Sequence, residues 1–484
     1  MFYYLQKLFC SKIVLYIGSR YLILLLQFFS YIYIASKLGV YYWGIWSFII
    51  LLINIGSSCH WGVGTATMIL LVQKKEDTLL CNKYIFNAFL LLCLTFIPPL
   101  LVLGYDRIIG IQIFAKYHLG ELIYAVAAVI ILQYISMFFV NIFRVKNKIV
   151  EIIIQQSLWP LIMFCLIFTA SGKSLLYWLS GSYVAVSLLV VLMFVFRKSV
   201  VFCCNPDMMM MKEIILKSFF LFVYNVCFSF ILLSTKLQIS CFYSVIEFGY
   251  FAFAFSLAQG IVLLLDSVIF LLLPKMIDML KGSDVDQIKS AIKILRDNYL
   301  LPLHLIFYII LVISFPFFYF MPQYNKSLLP FVLILFTLIM YSNCFGYNSY
   351  LLAQNREKSF SLIVFIALLA NTLLVWLLGK VCQIHFEYVI LGTLLVYFFY
   401  SIAVNCYALY CLGERKLAVY LRENLILKLI VIYFTALIIV VLIGCHWWIF
   451  AGAFALFILF NLPQLCNLAK NITKLMHNDK LINV

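Results

Sequence analysis

The sequence predicts an all-α integral membrane protein of about fourteen membrane-spanning helices, and three observations predict it. Hydrophobic residues make up 66% of the 484 positions and charged residues only 11%. The apolar residues fall in stretches of spanning length, because a bilayer core about 30 Å thick takes roughly 20 residues of helix. Short connections rich in Lys and Arg separate the stretches and leave no room for a soluble domain. Backbone groups in lipid must be satisfied internally, so the spans are expected to be helices rather than loops or open sheets.

In chain order the spans read 12–36, 44–72, 83–104, 121–143, 150–171, 174–196, 214–235, 247–273, 299–320, 328–352, 359–379, 387–411, 426–445 and 447–468. Apolar character barely pauses between 214 and 280, so the boundary between the seventh and eighth spans is the least marked. The longest connections, 197–213, 281–298 and 412–425, fall on one side, and 105–120 is the longest on the other.

The distribution of Lys and Arg orients the chain. With the N-terminus in the cytoplasm, that side receives Lys7, Lys74, Lys75, Arg144, Lys212, Lys289, Arg296, Arg356 and Arg415, among many others. The opposite side receives only Lys37, Arg107, Lys116, Lys173, Lys236, Lys326 and Lys380. Most of the net charge of +16 is therefore a topology signal and not a nucleic-acid surface. An even number of spans returns the C-terminus to the cytoplasm. No cleavable signal peptide is evident, so the first apolar stretch is expected to remain as a helix. The fifteen cysteines sit singly in apolar spans apart from Cys203-Cys204, with neither metal spacing nor a disulfide framework.

A weak internal repeat suggests two lobes. Val40-Tyr41-Tyr42-Trp43-Gly44-Ile45-Trp46 follows the first span, and Val245-Ile246-Glu247-Phe248-Gly249-Tyr250-Phe251 follows the seventh. An aromatic-Gly pair opens the next long helix in each. Repeats six spans apart keep one orientation, which implies two six-helix lobes around a central cavity, related by an axis along the membrane normal. The expected organisation is an N-lobe over 1–213, a C-lobe over 214–411, and two extra helices with a tail over 412–484. Pro98-Pro99, Pro160, Pro274, Pro302 and Pro316 are expected to break or kink their spans, since proline removes an amide donor.

Signals of catalysis are absent from the sequence. No Gly-rich loop ends in Gly-Lys-Ser/Thr, no His-Glu-x-x-His occurs, and the six histidines are scattered. Asp106 beside Arg107 reads as a solvated loop pair. No catalytic residue, metal ligand or cofactor is expected, apart from a proton or sodium ion as a coupling ion.

The informative residues are charges inside or at the edge of spans, where each costs about 2.5–3.5 kcal/mol at the helix centre and so faces a cavity or a partner. Arg20 lies within the first span; it either faces a cavity or snorkels to the interface. Lys236 ends the seventh span, as a cavity cation or an external interface anchor. Asp266 lies near the middle of the eighth span and Glu247 opens it. If the first, second, seventh and eighth helices line the cavity, Arg20 and Lys236 make it basic and suited to a pyrophosphate, whose oxygens accept charge-assisted hydrogen bonds. Asp266 and Glu247 are the candidates for binding a proton or sodium ion, with structural pairing as the other role for Asp266. Polar uncharged residues such as Gln27, Asn54, Gln155 and Gln156 either meet sugar hydroxyls or bond neighbouring helices, and the sequence alone singles out no sugar site.

The order of these segments resembles a known family. Arg20-Tyr21 followed by Ala35-Ser36-Lys37-Leu38-Gly39 through Ser47, Trp61-Gly62-Val63-Gly64-Thr65-Ala66, Phe248-Gly249-Tyr250-Phe251-Ala252, Leu273-Pro274-Lys275-Met276 and Leu351-Leu352-Ala353-Gln354-Asn355-Arg356 are carried in that order over 12–411. This resembles the Wzx-type O-antigen and polysaccharide flippases of the multidrug/oligosaccharidyl-lipid/polysaccharide (MOP) superfamily. The resemblance implies a MATE-like fold in a bacterial inner membrane. It implies transfer of undecaprenyl-pyrophosphate-linked oligosaccharide repeat units from the cytoplasmic to the periplasmic leaflet by alternating access, coupled to an ion gradient. An O-antigen polymerase and a chain-length regulator are the partners it suggests. One departure matters: related transporters often carry an acidic residue near the end of the seventh helix, where this chain reads Ser234-Thr235-Lys236-Leu237-Gln238. Two other readings stand beside it, a MATE-like cation-coupled antiporter of small molecules and a membrane polysaccharide polymerase.

Overall fold

The computed structural model describes residues 12–74, 77–97, 101, 115–146, 148–197, 205–280, 284–354, 356–424 and 427–477. Pro98-Pro99, Asp106, Arg107 and Cys203-Cys204 lie outside them. The described chain is helical with short turns and no strand. Nine of its helices are long and apolar enough to cross a membrane, and five shorter apolar helices accompany them. The chain is a multi-pass membrane protein, and its helices map in order onto the spans expected from the sequence. The chain forms two compact units, residues 1–260 and 261–484.

The first unit opens with α1 (Lys12–Ser58), which is two limbs joined at Gly39. Gly39 has φ 70° and ψ 167°, a conformation open essentially to glycine alone. The rings of Tyr31 and Trp43 are 6.2 Å apart. Twelve residues of straight helix would separate them by about 18 Å, so the chain folds back at Gly39 and the limbs are the first two spans. The second limb is interrupted at Cys59–Gly62, where Trp61 and Gly62 have positive φ, and continues as α2 (Val63–Gln73). The sequence shows one uninterrupted span there. Then follow α3 (Thr78–Leu94), α4 (Leu122–Val145), α5 (Ile149–Leu166), α6 (Gly172–Phe196), α7 (Met208–Phe242) and α8 (Val245–Leu280). An aromatic and aliphatic core of Phe139, Phe143, Ile152, Val190 and Phe194 joins α4, α5 and α6.

Side-chain caps at the helix ends explain where the connections sit. Asp77 accepts from the backbone N–H of Leu80, and Asp207 accepts from those of Met209 and Met210. Each satisfies amides that the first helical turn leaves without a carbonyl. Asn87 of α3 holds the segment before α7, donating to Asn205 O at 3.1 Å and accepting from Asp207 N at 2.7 Å. At the same end Glu213 accepts from Tyr84 Oη at 2.5 Å and pairs with Lys74 at 3.5 Å. At the other end of α7, Lys116 donates to the carbonyls of Ser240 (2.8 Å) and Tyr243, and Tyr117 donates to Ser240 O at 3.0 Å. A cation there satisfies the last carbonyls of a helix and complements its dipole.

Proline does not end these helices. Pro160 lies inside α5, and Pro302 and Pro316 lie inside α9 (Val285–Tyr319). Helix α8 likewise runs through Pro274. The interruptions occur instead at Cys59–Gly62 and at Asn343–Gly346, where glycine supplies a positive φ.

The second unit continues from α8 into α9, a 3₁₀ turn (Pro322–Ser327), α10 (Leu328–Ser342) and α11 (Tyr347–Ala353). It is completed by α12 (Glu357–Trp376), a π turn (Leu377–Val381), α13 (Ile390–Cys411), α14 (Leu417–Asn424), α15 (Leu427–Ile443) and α16 (Trp447–His477). Helices α15 and α16 pack on the rest of this unit: α16 lies along α9, and Tyr433 of α15 donates to Phe336 O of α10 at 2.6 Å.

Candidate functional site

Helix α7 continues to Phe242, so Lys236 lies nearly two turns inside it rather than at the end of a span. The polar run Lys236, Gln238 and Ser240 makes the span look finished in sequence. In the structure Thr235 and Ser240 bond back to carbonyls of their own helix, which lets those polar groups stay buried within it. Lys236 is 6% exposed. Its ammonium lies 5.2 Å from the ring centre of Phe255 on α8. That cation–π contact is its interaction among the described residues, and no carboxylate or carbonyl there pairs with it. An interface anchor would keep its charged head in water; this one is enclosed.

Glu247 sits in the first turn of α8 and closes a capping box. Its carboxylate accepts from the Ser244 backbone N–H at 2.8 Å and from the Ser244 hydroxyl at 2.7 Å, and its own N–H donates back to Ser244 Oγ at 3.2 Å. The structure therefore gives Glu247 a helix-start role and does not pair it with Lys236. Arg20 lies in α1 and Asp266 in α8, and the side chains of both lie outside the described residues.

Two features escape the sequence. The first is Arg296, assigned by sequence to a connection but buried within α9 at 2% exposure. It donates to Asn343 O at 2.8 Å and to Glu423 O at 2.9 Å, and its guanidinium lies 4.7 Å from the ring centre of Tyr347, whose hydroxyl donates to Glu423 Oε2 at 2.9 Å. Its planar fork supplies donors to carbonyls left open where α10 stops and α11 begins. Asp284, which caps α9, followed by the helical spacing of Ile288, Ala291, Ile292 and Leu300, is the sequence signal that this helix starts before Arg296. Two turns on, His304 (7% exposed) lines a pocket with room for about one water molecule, together with Met340, Asn343 and Tyr433.

The second feature is a group of rings and amides inside the first unit. Trp159 of α5 stacks on Tyr183 of α6 with centroids 4.2 Å apart, and Trp46 of α1 lies 6.2 and 6.4 Å from them. Gln133 of α4 donates to Tyr183 Oη at 2.6 Å, and Gln27 donates to Tyr31 Oη at 3.2 Å. No sequence period brings these five segments together; only the bundle does.

No protein-family model matches the chain, and no curated protein matches its sequence. Solved structures do match. The lipid II flippase MurJ in an inward-closed conformation superposes with a TM-score of 0.64 at 12% identity, over 95% of this chain and 100% of that one. An inward-facing multidrug-resistance MATE-family transporter of the MOP superfamily gives 0.63 at 13% identity, over 81% and 94% of the two chains. A MOP-superfamily transporter from Pyrococcus furiosus Vc1 (DSM3638) gives 0.52 at 14% identity, over 83% and 94%. At these identities the likeness is one of fold: the chain has the all-α fold of these transporters.

Proposed function

We propose that the protein is a flippase for an undecaprenyl-pyrophosphate-linked oligosaccharide, an O-antigen or related polysaccharide repeat unit. It would carry the headgroup from the cytoplasmic to the periplasmic leaflet of a bacterial inner membrane by alternating access. The Wzx-like order of segments supports the substrate class, and the shared fold supports transport. The observation that carries the reading is Lys236. An enclosed ammonium that among the described residues has an aromatic face beside it forgoes several kcal/mol of hydration, and an anionic ligand restores it. A pyrophosphate does so with short, charge-assisted hydrogen bonds. Arg20 is proposed as a second cation for the same headgroup, and Asp266 as the site of a coupling proton or sodium ion. Glu247 is a weaker candidate, since its carboxylate is already engaged by Ser244.

The test is reconstitution into liposomes carrying a lipid-pyrophosphate-linked oligosaccharide, with a membrane-impermeant reagent scoring the leaflet of the sugar. Wild-type protein is expected to move the sugar across, and Lys236→Gln to slow it at least tenfold at equal protein content. Equal transfer by both proteins would remove Lys236 from the headgroup site. Absence of any transfer, with proton and sodium gradients applied in turn, would overturn the flippase reading. A MATE-like antiporter shares this fold, but an enclosed cation opposes a cationic cargo; resistance to a cationic dye conferred by the protein would favour it.

A further inference from the structure

We infer that the ring and amide group of Gln27, Tyr31, Trp46, Gln133, Trp159 and Tyr183 is a binding subsite for an uncharged sugar ring, inside the first unit and made of side chains other than Lys236. The inference rests on the flippase reading above and adds where part of the headgroup is held.

Depth is the first argument. Tyr31 and Trp46 flank the Gly39 turn, Trp159 precedes the end of α5, and Gln133 and Tyr183 follow the starts of α4 and α6. At 1.5 Å per residue all five lie about 10–17 Å along their helices from those ends, which are on one side of the bundle. They therefore converge at one level within the membrane-spanning part. Trp46 is buried at 1% exposure. Yet Gln27, Tyr31, Gln133, Trp159 and Tyr183 are each only half-buried. At that depth the accessible surface they keep is where a ligand would reach them.

Chemistry is the second argument. Each phenol accepts a hydrogen bond from a glutamine amide, which leaves its own O–H to donate. The carbonyl oxygens of Gln27 and Gln133 accept nothing from the described residues, and the Trp43 Nε1–H, packed beside Tyr31, is buried with no partner among them. The group thus offers donors and acceptors together, beside indole and phenol faces, and includes no charged side chain. A sugar presents the complement: hydroxyls that both donate and accept around the edge, and apolar C–H faces that pack on aromatic rings. Among the described residues a phosphate would find no cation in this group, and a purely apolar ligand would leave the phenol O–H donors and the glutamine carbonyls without partners at a cost.

The test compares two probes on purified protein in nanodiscs, undecaprenyl pyrophosphate and the same lipid carrying one N-acetylglucosamine. Wild type is expected to bind the glycosylated lipid more tightly than the bare one. Trp159→Ala is expected to weaken binding of the glycosylated lipid about tenfold, the scale of one aromatic contact, and to leave the bare lipid unchanged. Gln133→Leu, which keeps the helix and its volume, should do the same if Trp159→Ala fails to fold. Equal binding of the two lipids by wild type, or equal loss of both in the variants, would overturn the subsite while leaving the flippase reading standing. Binding of neither lipid would overturn both. Binding of the planar cation ethidium that depends on Trp159, with no gain from the sugar, would make the group a drug site and overturn the inference.

Discussion

Gly44 and Gly249 lie against each other where α1 crosses α8. A Cβ on Gly44 would stand 3.4 Å from Gly249 Cα and 2.4 Å from Val245 O, and a Cβ on Gly249 would stand 2.3 Å from Val40 O. Each glycine is thus met by the residue four positions before the other, so the two copies of the aromatic-Gly repeat contact each other reciprocally. The glycines allow two backbones to touch where any side chain would push them apart.

Gly44→Ala is expected to destabilise the protein by about 1–3 kcal/mol, because the obstruction is backbone and cannot rotate away. Gly181→Ala, where a Cβ would meet nothing within 4 Å, is the control and should be neutral or slightly stabilising. Thermal unfolding of the two variants in detergent checks this; equal melting temperatures would contradict it.

Lys236→Met should separate stability from function. Replacing an enclosed cation that pairs with no carboxylate among the described residues by an apolar chain of similar length is expected to leave the melting temperature unchanged or raise it. Binding of undecaprenyl pyrophosphate should fall at least tenfold. A variant that melts earlier and binds normally would make Lys236 a structural residue.

Arg296→Ala is expected to cost about 2–4 kcal/mol, since it removes the guanidinium donor from Glu423 O and leaves Asn343 O only the longer 3.4 Å bond from the Asn405 amide. Arg296→Lys should recover only part, because an ammonium cannot reach both carbonyls and lie over Tyr347 as a planar fork does. Limited proteolysis near α14, together with thermal unfolding, reports the loss.

Glu414 should contribute a pH-dependent increment of stability. The backbone N–H of Lys416 and the ammonium of Lys289, 3.3 Å away, hold its carboxyl below the ordinary glutamate value. A group with a depressed folded-state pKa stabilises the fold above its unfolded value of about 4.3, and the contribution is lost as pH falls through the folded value. The difference in melting temperature between wild type and Glu414→Gln should therefore be full at neutral pH, begin to shrink as pH falls through the unfolded value of about 4.3, and be lost once pH has passed the lower folded value. A difference that does not shrink at all under acid conditions would contradict the assignment.

The sequence by itself determined the class of fold and the succession of helices. Spanning length and apolar content follow from the thickness of the bilayer, and the demand that backbone groups be satisfied within lipid leaves helices as the form. Even the Gly44 and Gly249 positions were legible, as the start of a repeated segment. Local sequence could not show which side chains meet. Lys236 reads as the end of a span because its neighbours are polar, and only burial against Phe255 shows it enclosed. Arg296 reads as one more basic residue in a connection, and only the interruption between α10 and α11 shows what it holds. Glu247 reads as a free membrane-edge charge until Ser244 is seen closing the capping box. Trp46, Gln133, Trp159 and Tyr183 come from four helices separated by loops of unrelated sequence. Helical period reports which residues share a face, but the rotation of each face toward the others is set by close packing of the whole bundle, and that is what tertiary structure decided.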